Sequence, residues 1–161
     1  MPTLRLYRAA DWDSFLALDL ETCLAAIANA ADKIQFVERW PAFLKSSFKW
    51  GDDGPAIGKH TVWVLDEDDG SYAGHLWCTE QQDFFTGRTK GFITTIAVVA
   101  AHRGRGFGEL LMQRAIDEAR ARGYAHVVLG VDAANVGAIG LYEKLGFHTS
   151  RRSMEKSIST V

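Results

Sequence analysis

Phe92-Ile93-Thr94-Thr95-Ile96-Ala97-Val98-Val99-Ala100, continued through Ala101-His102 into Arg103-Gly104-Arg105-Gly106-Phe107-Gly108, is the stretch that decides the fold class. Its first nine residues are almost wholly apolar or β-branched, which predicts a central strand buried on both faces. The residues after it predict the clearest helix of the chain. Phe107, Leu111, Ala115 and Ala119, with Leu110, Met112 and Ile116, make an apolar face, and Glu109, Gln113, Asp117, Glu118 and Arg120 point away. Arg122 and Gly123 then supply a basic last turn and a glycine stop.

The loop between strand and helix carries chemistry. A loop entering a helix N-terminus presents unpaired backbone N–H groups and the positive end of the helix dipole. Glycines let the backbone take φ > 0 and leave no Cβ between it and a ligand. Such a nest binds an anion, typically phosphate or pyrophosphate, and Arg103 and Arg105 would add charge-assisted hydrogen bonds. The competing reading is a tight turn whose glycines only relieve strain. Other glycine-loop chemistries fit poorly. A dinucleotide fingerprint starting at Gly104 needs glycine where Glu109 stands, and no Gly-Lys-Ser/Thr occurs for a nucleotide P-loop.

Outward from this centre, the periodicities predict one mixed sheet with helices on both faces. A short strand is expected at 3–8, then a helix capped by Asp11 or Asp13 and running to about residue 29, with Phe15, Leu16, Leu20 and Leu24 on one face. A second helix is expected from Ala31 to Trp40, interrupted at Pro41 and resuming to Phe48. Gly51-Asp52-Asp53-Gly54-Pro55 reads as a loop. Strands at 61–66 and 71–79 form a hairpin around Asp68-Asp69-Gly70, and residues 81–90 form a turn region. A second buried strand is expected at 125–131, a short helix at 136–145 ending at Gly146, and one or two final strands between Phe147 and Ser159.

Composition narrows the class. The 161 residues are 47% hydrophobic and 24% charged, as expected of one soluble globular domain. Cys23 and Cys78 are too few for a disulfide framework and read as buried thiols of a cytoplasmic protein. No apolar run approaches a membrane span and no signal-peptide core follows Met1. Residues 51–90 hold eight acids against three bases, whereas 101–161 hold nine Lys or Arg against six acids. That asymmetry suits a cationic substrate and an anionic cofactor, although Asp66 to Asp69 also reads as a solvated turn. A sequence pI near 6.2 without a basic stripe argues against nucleic-acid binding. The histidines lack metal-ligand spacing, so no metal is expected.

Arg103, Gly106 and Gly108, following Thr95-Ile96-Ala97-Val98-Val99, match the Q/R-x-x-G-x-G/A signature of the GNAT superfamily of acetyltransferases, which the chain resembles. A second block of that family follows at Asn135, Ala138 and Leu141-Tyr142-Glu143-Lys144-Leu145-Gly146-Phe147. The resemblance implies that residues 1–161 form a single α/β (α+β) N-acetyltransferase domain. Its sheet would be mixed, mostly antiparallel, of six to seven strands and splayed in the middle.

The resemblance further implies acetyl-CoA as co-substrate. The backbone of Arg103, Gly104, Arg105, Gly106, Phe107 and Gly108 would cradle its pyrophosphate. The edge formed by Ile96, Ala97 and Val98 would pair with the pantetheine arm, as extended ligands do on open sheet edges. Asn135 and Ala138 would also contact the cofactor, and Tyr142 would reach its sulfur. A neutral amine would attack the thioester directly through a tetrahedral intermediate, with the Val98 N–H stabilising the oxyanion and Tyr142 protonating the leaving thiolate. On periodicity alone Tyr142 is a core tyrosine, and Asn135 is equally suited to cap the helix that follows.

Two departures bear on mechanism. Many family members carry a glutamate where this chain has Thr94 and Thr95, so the base is open among Glu80, Asp83 and His75, each of which also reads as an ordinary surface or strand residue. Ala100-Ala101 replaces a proline common before the glycine loop. Phe36, Trp40, Phe43, Phe48 and Trp50 are expected in the core or a dimer interface, or lining the acceptor pocket. A catalytically silent acyl-CoA sensor is the alternative to an enzyme. The acceptor is a small-molecule or peptide amine of unspecified kind, and a homodimer would be ordinary for such a fold.

Overall fold

The computed structural model describes residues 1–56 and 59–158. They divide into two compact units, residues 1–130 and residues 131 onward. The first unit holds β1 (Thr3–Leu6), α1 (Trp12–Ala25), α2 (Ala30–Ser47), β2 (Thr61–Asp66), β3 (Tyr72–Gln82), β4 (Thr89–Val98), α3 (Phe107–Ala121) and β5 (Val127–Leu129). The second holds α4 (Val136–Lys144). Five strands form one mixed sheet in the order β1-β2-β3-β4-β5, antiparallel except for the parallel β4–β5 pair. No helix among the described residues is long and apolar enough to cross a membrane.

Alternation along β2 assigns the two faces. Val62 and Val64 join Tyr7, Phe15, Leu44, Trp50 and Trp77 in one core beneath α1 and α2. Trp63, between them, points the other way and donates its indole N–H to Glu118 on α3, 2.5 Å away. Aromatic edges lock the first core: Trp50 meets Trp77 at 5.1 Å and Phe15 at 4.5 Å between ring centroids. Truncating a buried Phe or Trp of this kind costs about 3–5 kcal/mol.

Local chemistry explains the connections. The β2–β3 turn closes with Gly70 at φ 83° and with Asp69 accepting the Ser71 N–H at 2.8 Å. At the β3–β4 turn, Asp83 accepts the N–H groups of Phe85 and Thr86 at 3.1 and 2.9 Å.

Several expectations are corrected. The sheet has five strands rather than six to seven, because no strand forms among described residues after Phe147 (Ser159 lies outside them). The strand predicted at 125–131 spans only Val127–Leu129, and β4 starts earlier than expected, at Thr89, and is half-buried along much of its length. Helix α2 runs unbroken through Pro41. An interior proline costs about 3 kcal/mol, offset here by buried Leu44 and by stacking of Trp40 on Phe36 (5.0 Å) and Phe43 (5.5 Å). Asp11 precedes α1 without capping it; its carboxylate instead accepts from Arg5 and the Arg8 N–H. Glu118, expected to point away from the apolar face of α3, is buried, and so is Asp19, which helical spacing places beside Phe15 and Leu16. Trp40 satisfies one oxygen of Asp19 at 2.6 Å, and Arg122 and Trp63 hold Glu118.

Candidate active site

Strand β4 changes character at its middle. Trp77 pairs with Thr95 but Cys78 pairs with Ile93, so Thr94 is the extra residue of a bulge. Bulges bend a strand and raise its twist. Pairing with β5 covers Gly91, Phe92 and Ile93 and stops there. From Thr94 to Val98 that edge of β4 has no strand partner among the described residues, and the Thr94 hydroxyl is buried without a hydrogen bond. The Val99 N–H bonds to Ala73 O at 2.9 Å on the β3 side. By the alternation of an antiparallel ladder, Ile96 and Val98 turn their N–H and C=O groups to the open side, while Ala97 faces β3. Arg103 Nε donates to the Val98 carbonyl at 2.9 Å, which leaves the Val98 N–H as the outward donor.

The loop after β4 enters α3 through a short 3₁₀ turn, Ala100–His102. Gly104 and Gly106 hold φ of 76° and 84°, a conformation that disfavours side chains. A Cβ at either would meet nothing within 4 Å, so the space above the loop is open to a ligand. Gly106 caps α3 without a side chain, and the first-turn N–H groups of a 15-residue helix accordingly face that space. An anion fits this cradle. The two arginines are not standing ready, however. Arg103 reaches Glu21 at 2.9 Å, and Arg105 is paired with Glu67. Sequence reasoning missed both carboxylates; they lie 82 and 38 residues from their partners, and no local pattern joins them.

In the second unit, Asn135 Oδ1 accepts the Ala138 N–H at 3.2 Å and caps α4, which leaves its NH₂ unused by that contact. Tyr142 is half-buried, its ring 6.1 Å from Phe147. Burial pushes its phenol above the ordinary value, so it is a neutral proton donor at pH 7.

The three candidate bases differ sharply. His75 is wholly buried under Phe15, with Tyr72 OH 2.8 Å from Nδ1 and Asp19 3.6 Å from Nε2. Asp83 is bonded by Lys90 at 2.6 Å and by Thr86, which hold its carboxyl well below the usual range and make it a weak proton acceptor. Glu80 stands opposite Gly91, bonded by Tyr124 with Lys59 at 3.4 Å and Arg122 at 3.8 Å. No group of side chains suited to a metal ion occurs among the described residues.

Residues 24–147 match the acetyltransferase (GNAT) family model. The chain is 32% identical to N-alpha-acetyltransferase 30 of Schizosaccharomyces pombe over 73% of its own length and 65% of the relative's. It is 29% identical to the uncharacterized N-acetyltransferase YdgE of Bacillus subtilis over 66% of each. The chain therefore spans just under two thirds of these curated relatives. A solved protein from Pyrococcus furiosus shares the fold with a TM-score of 0.81 at 24% identity, over 98% of this chain and 100% of the other. By the extent of the family match, the chain belongs to the GNAT family of acetyltransferases.

Proposed function

We propose that the protein is an N-acetyltransferase that moves the acetyl group of acetyl-CoA to a primary amine. The observation that carries this reading is the open, outward-facing edge at Ile96 and Val98, next to a glycine cradle at the N-terminus of α3. An amide-bearing arm docks on such an edge by backbone pairing. A diphosphate suits the adjoining N–H groups.

Each residue then has a stated task. The N–H groups of residues 103–108 hold the pyrophosphate, with Arg103 tying the loop to the strand through the Val98 carbonyl. The Val98 N–H donates to the carbonyl oxygen as it gains charge under attack. Tyr142, which burial keeps protonated, supplies the proton to the departing thiolate. An alkylammonium has a pKa of about 10.4, so a proton must leave it before attack. Of the three candidate bases we keep Glu80; it stands opposite Gly91, seven residues along β4 from Val98, so it acts only through a chain of waters. Asn135 and Ala138 complete the cofactor contacts. We propose further that residues 1–161 act as one domain and that the acceptor is a peptide or small-molecule amine, the N-alpha-acetyltransferase relative favouring the former.

The test is acetylation of a panel of peptide α-amines, lysine peptides, polyamines and small amino compounds, read by mass spectrometry. Product is expected, and Tyr142→Phe should lower kcat by about 10²-fold. Saturable acetyl-CoA binding without product on any acceptor would favour a sensor, and unchanged turnover in Tyr142→Phe would remove the tyrosine from the mechanism.

A further inference from the structure

Arg105 sits in the loop assigned above to pyrophosphate, yet its guanidinium already has an anion. Nη1 bonds to Glu67 Oε1 and Nη2 lies 3.4 Å from Oε2, a two-pronged contact to the β2–β3 turn. His102 Nδ1 is 2.9 Å from the same Oε1 and 3.0 Å from Arg105 Nη1. Arginine has only donors. His102 Nδ1 serves only one of these contacts at a time: unprotonated it accepts from Arg105, protonated it donates to Glu67, and in either case Arg105 donates to the carboxylate. Phe107 supports the cluster, with Arg105 4.8 Å over its ring and the His102 ring 6.0 Å away. Exposure separates the partners: the Glu67 side chain is 13% exposed and that of Arg105 is 51%. The carboxylate is the fixed member and the arginine the one able to turn.

We propose that Glu67 is a built-in competitor for the anion of the cofactor, occupying Arg105 while the cradle is empty and yielding it to pyrophosphate. Glu67 thereby sets cofactor affinity without touching the reacting atoms. This rests on the acetyl-CoA reading given above. Carboxylate and phosphate both suit the guanidinium fork. Arg105 is half exposed and His102 stays 2.9 Å from Glu67, so the arginine can turn to a multiply charged ligand without stranding the carboxylate. The carboxylate also places a negative charge beside the cradle, which opposes anion binding at close range.

The test is calorimetric titration of the wild-type chain, Glu67→Gln, Arg105→Ala and the double variant, with acetyl-CoA and separately with inorganic pyrophosphate. Glu67→Gln should tighten acetyl-CoA binding about fivefold, and by no more than about twofold in the Arg105→Ala background. Glu67→Ala provides a second variant with the same expected sign, and thermal melting verifies that each protein is folded. Weaker or unchanged binding by the Glu67 variants would overturn the proposal and make the residue a scaffold for the loop. An equal gain with and without Arg105 would also overturn it. Wild-type binding of pyrophosphate but not acetyl-CoA would sink the cofactor reading alone, the Glu67 comparison then being read on pyrophosphate. Binding of neither would overturn both.

Discussion

Two stretches of β4, Gly91 to Ile93 and Thr94 to Val98, are built from similar small, apolar and β-branched residues but meet different neighbours. The first stretch is paired on both sides, by β3 and by β5; the second is paired by β3 alone. Around Gly91 the surroundings are full: an added Cβ would lie 3.4 Å from Ala119 and from Tyr124. Beyond the bulge at Thr94 the outer edge has no strand partner among the described residues, and Arg103 takes the Val98 carbonyl. A sheet edge left open is a liability unless something covers it. Here the open edge adjoins the glycine loop, and on the function proposed above it serves as a docking surface.

That contrast can be broken by experiment. Val98→Pro removes an N–H that the β3 ladder does not use, a substitution that sheet edges tolerate. It should lower kcat by about 10²–10³-fold, or about 2.7–4 kcal/mol, with little loss of melting temperature. Parallel loss of kcat and fold would mean that the Val98 N–H belongs to the ladder, and the two stretches would then be alike.

Gly74 tests the shared β3 side. Its added Cβ would lie 2.5 Å from the Ala97 carbonyl, a backbone atom with no rotamer to escape into. Gly74→Ala should cost about 1–3 kcal/mol in chemical denaturation. Gly91→Ala, against side chains at 3.4 Å, should cost clearly less than that. A reversed order would show the doubly paired stretch to be the more rigid.

The smallest effect is expected at the turn that leads into β4. Lys90, then Thr86, lower the Asp83 pKa in the folded state. A depressed carboxylate contributes stability above its unfolded value of about 3.9 and loses it as pH falls further, towards the folded pKa. Denaturation midpoints taken from pH 6 down to pH 2.5 should fall more steeply for the wild type than for Asp83→Asn. Parallel profiles would show that the Asp83–Lys90 pair adds nothing.

Local pattern read the centre of this protein well and its margins less well. The strand–glycine–helix run was plain because apolar alternation, αL glycines and an amphipathic helix all act within a few residues of one another. Helix α4, its Asn135 cap and its stop at Gly146 were plain for the same reason. Pro41 misled because the cost of an interior proline is local, whereas the aromatic stack and Leu44 that offset it depend on the packed helix. Strands expected after Phe147 rested on alternation alone, which cannot say whether a partner edge is available.

By itself the sequence determined the family, the glycine loop between β4 and α3 and the order of the elements as far as α4, all consequences of spacing along the chain. Only the tertiary structure decided which carboxylates answer which cations, where β4 and β5 part, and that His75 is sealed in the core. Those outcomes depend on groups far apart in the chain meeting at a few ångströms, where charge and desolvation act over distances that sequence separation does not encode.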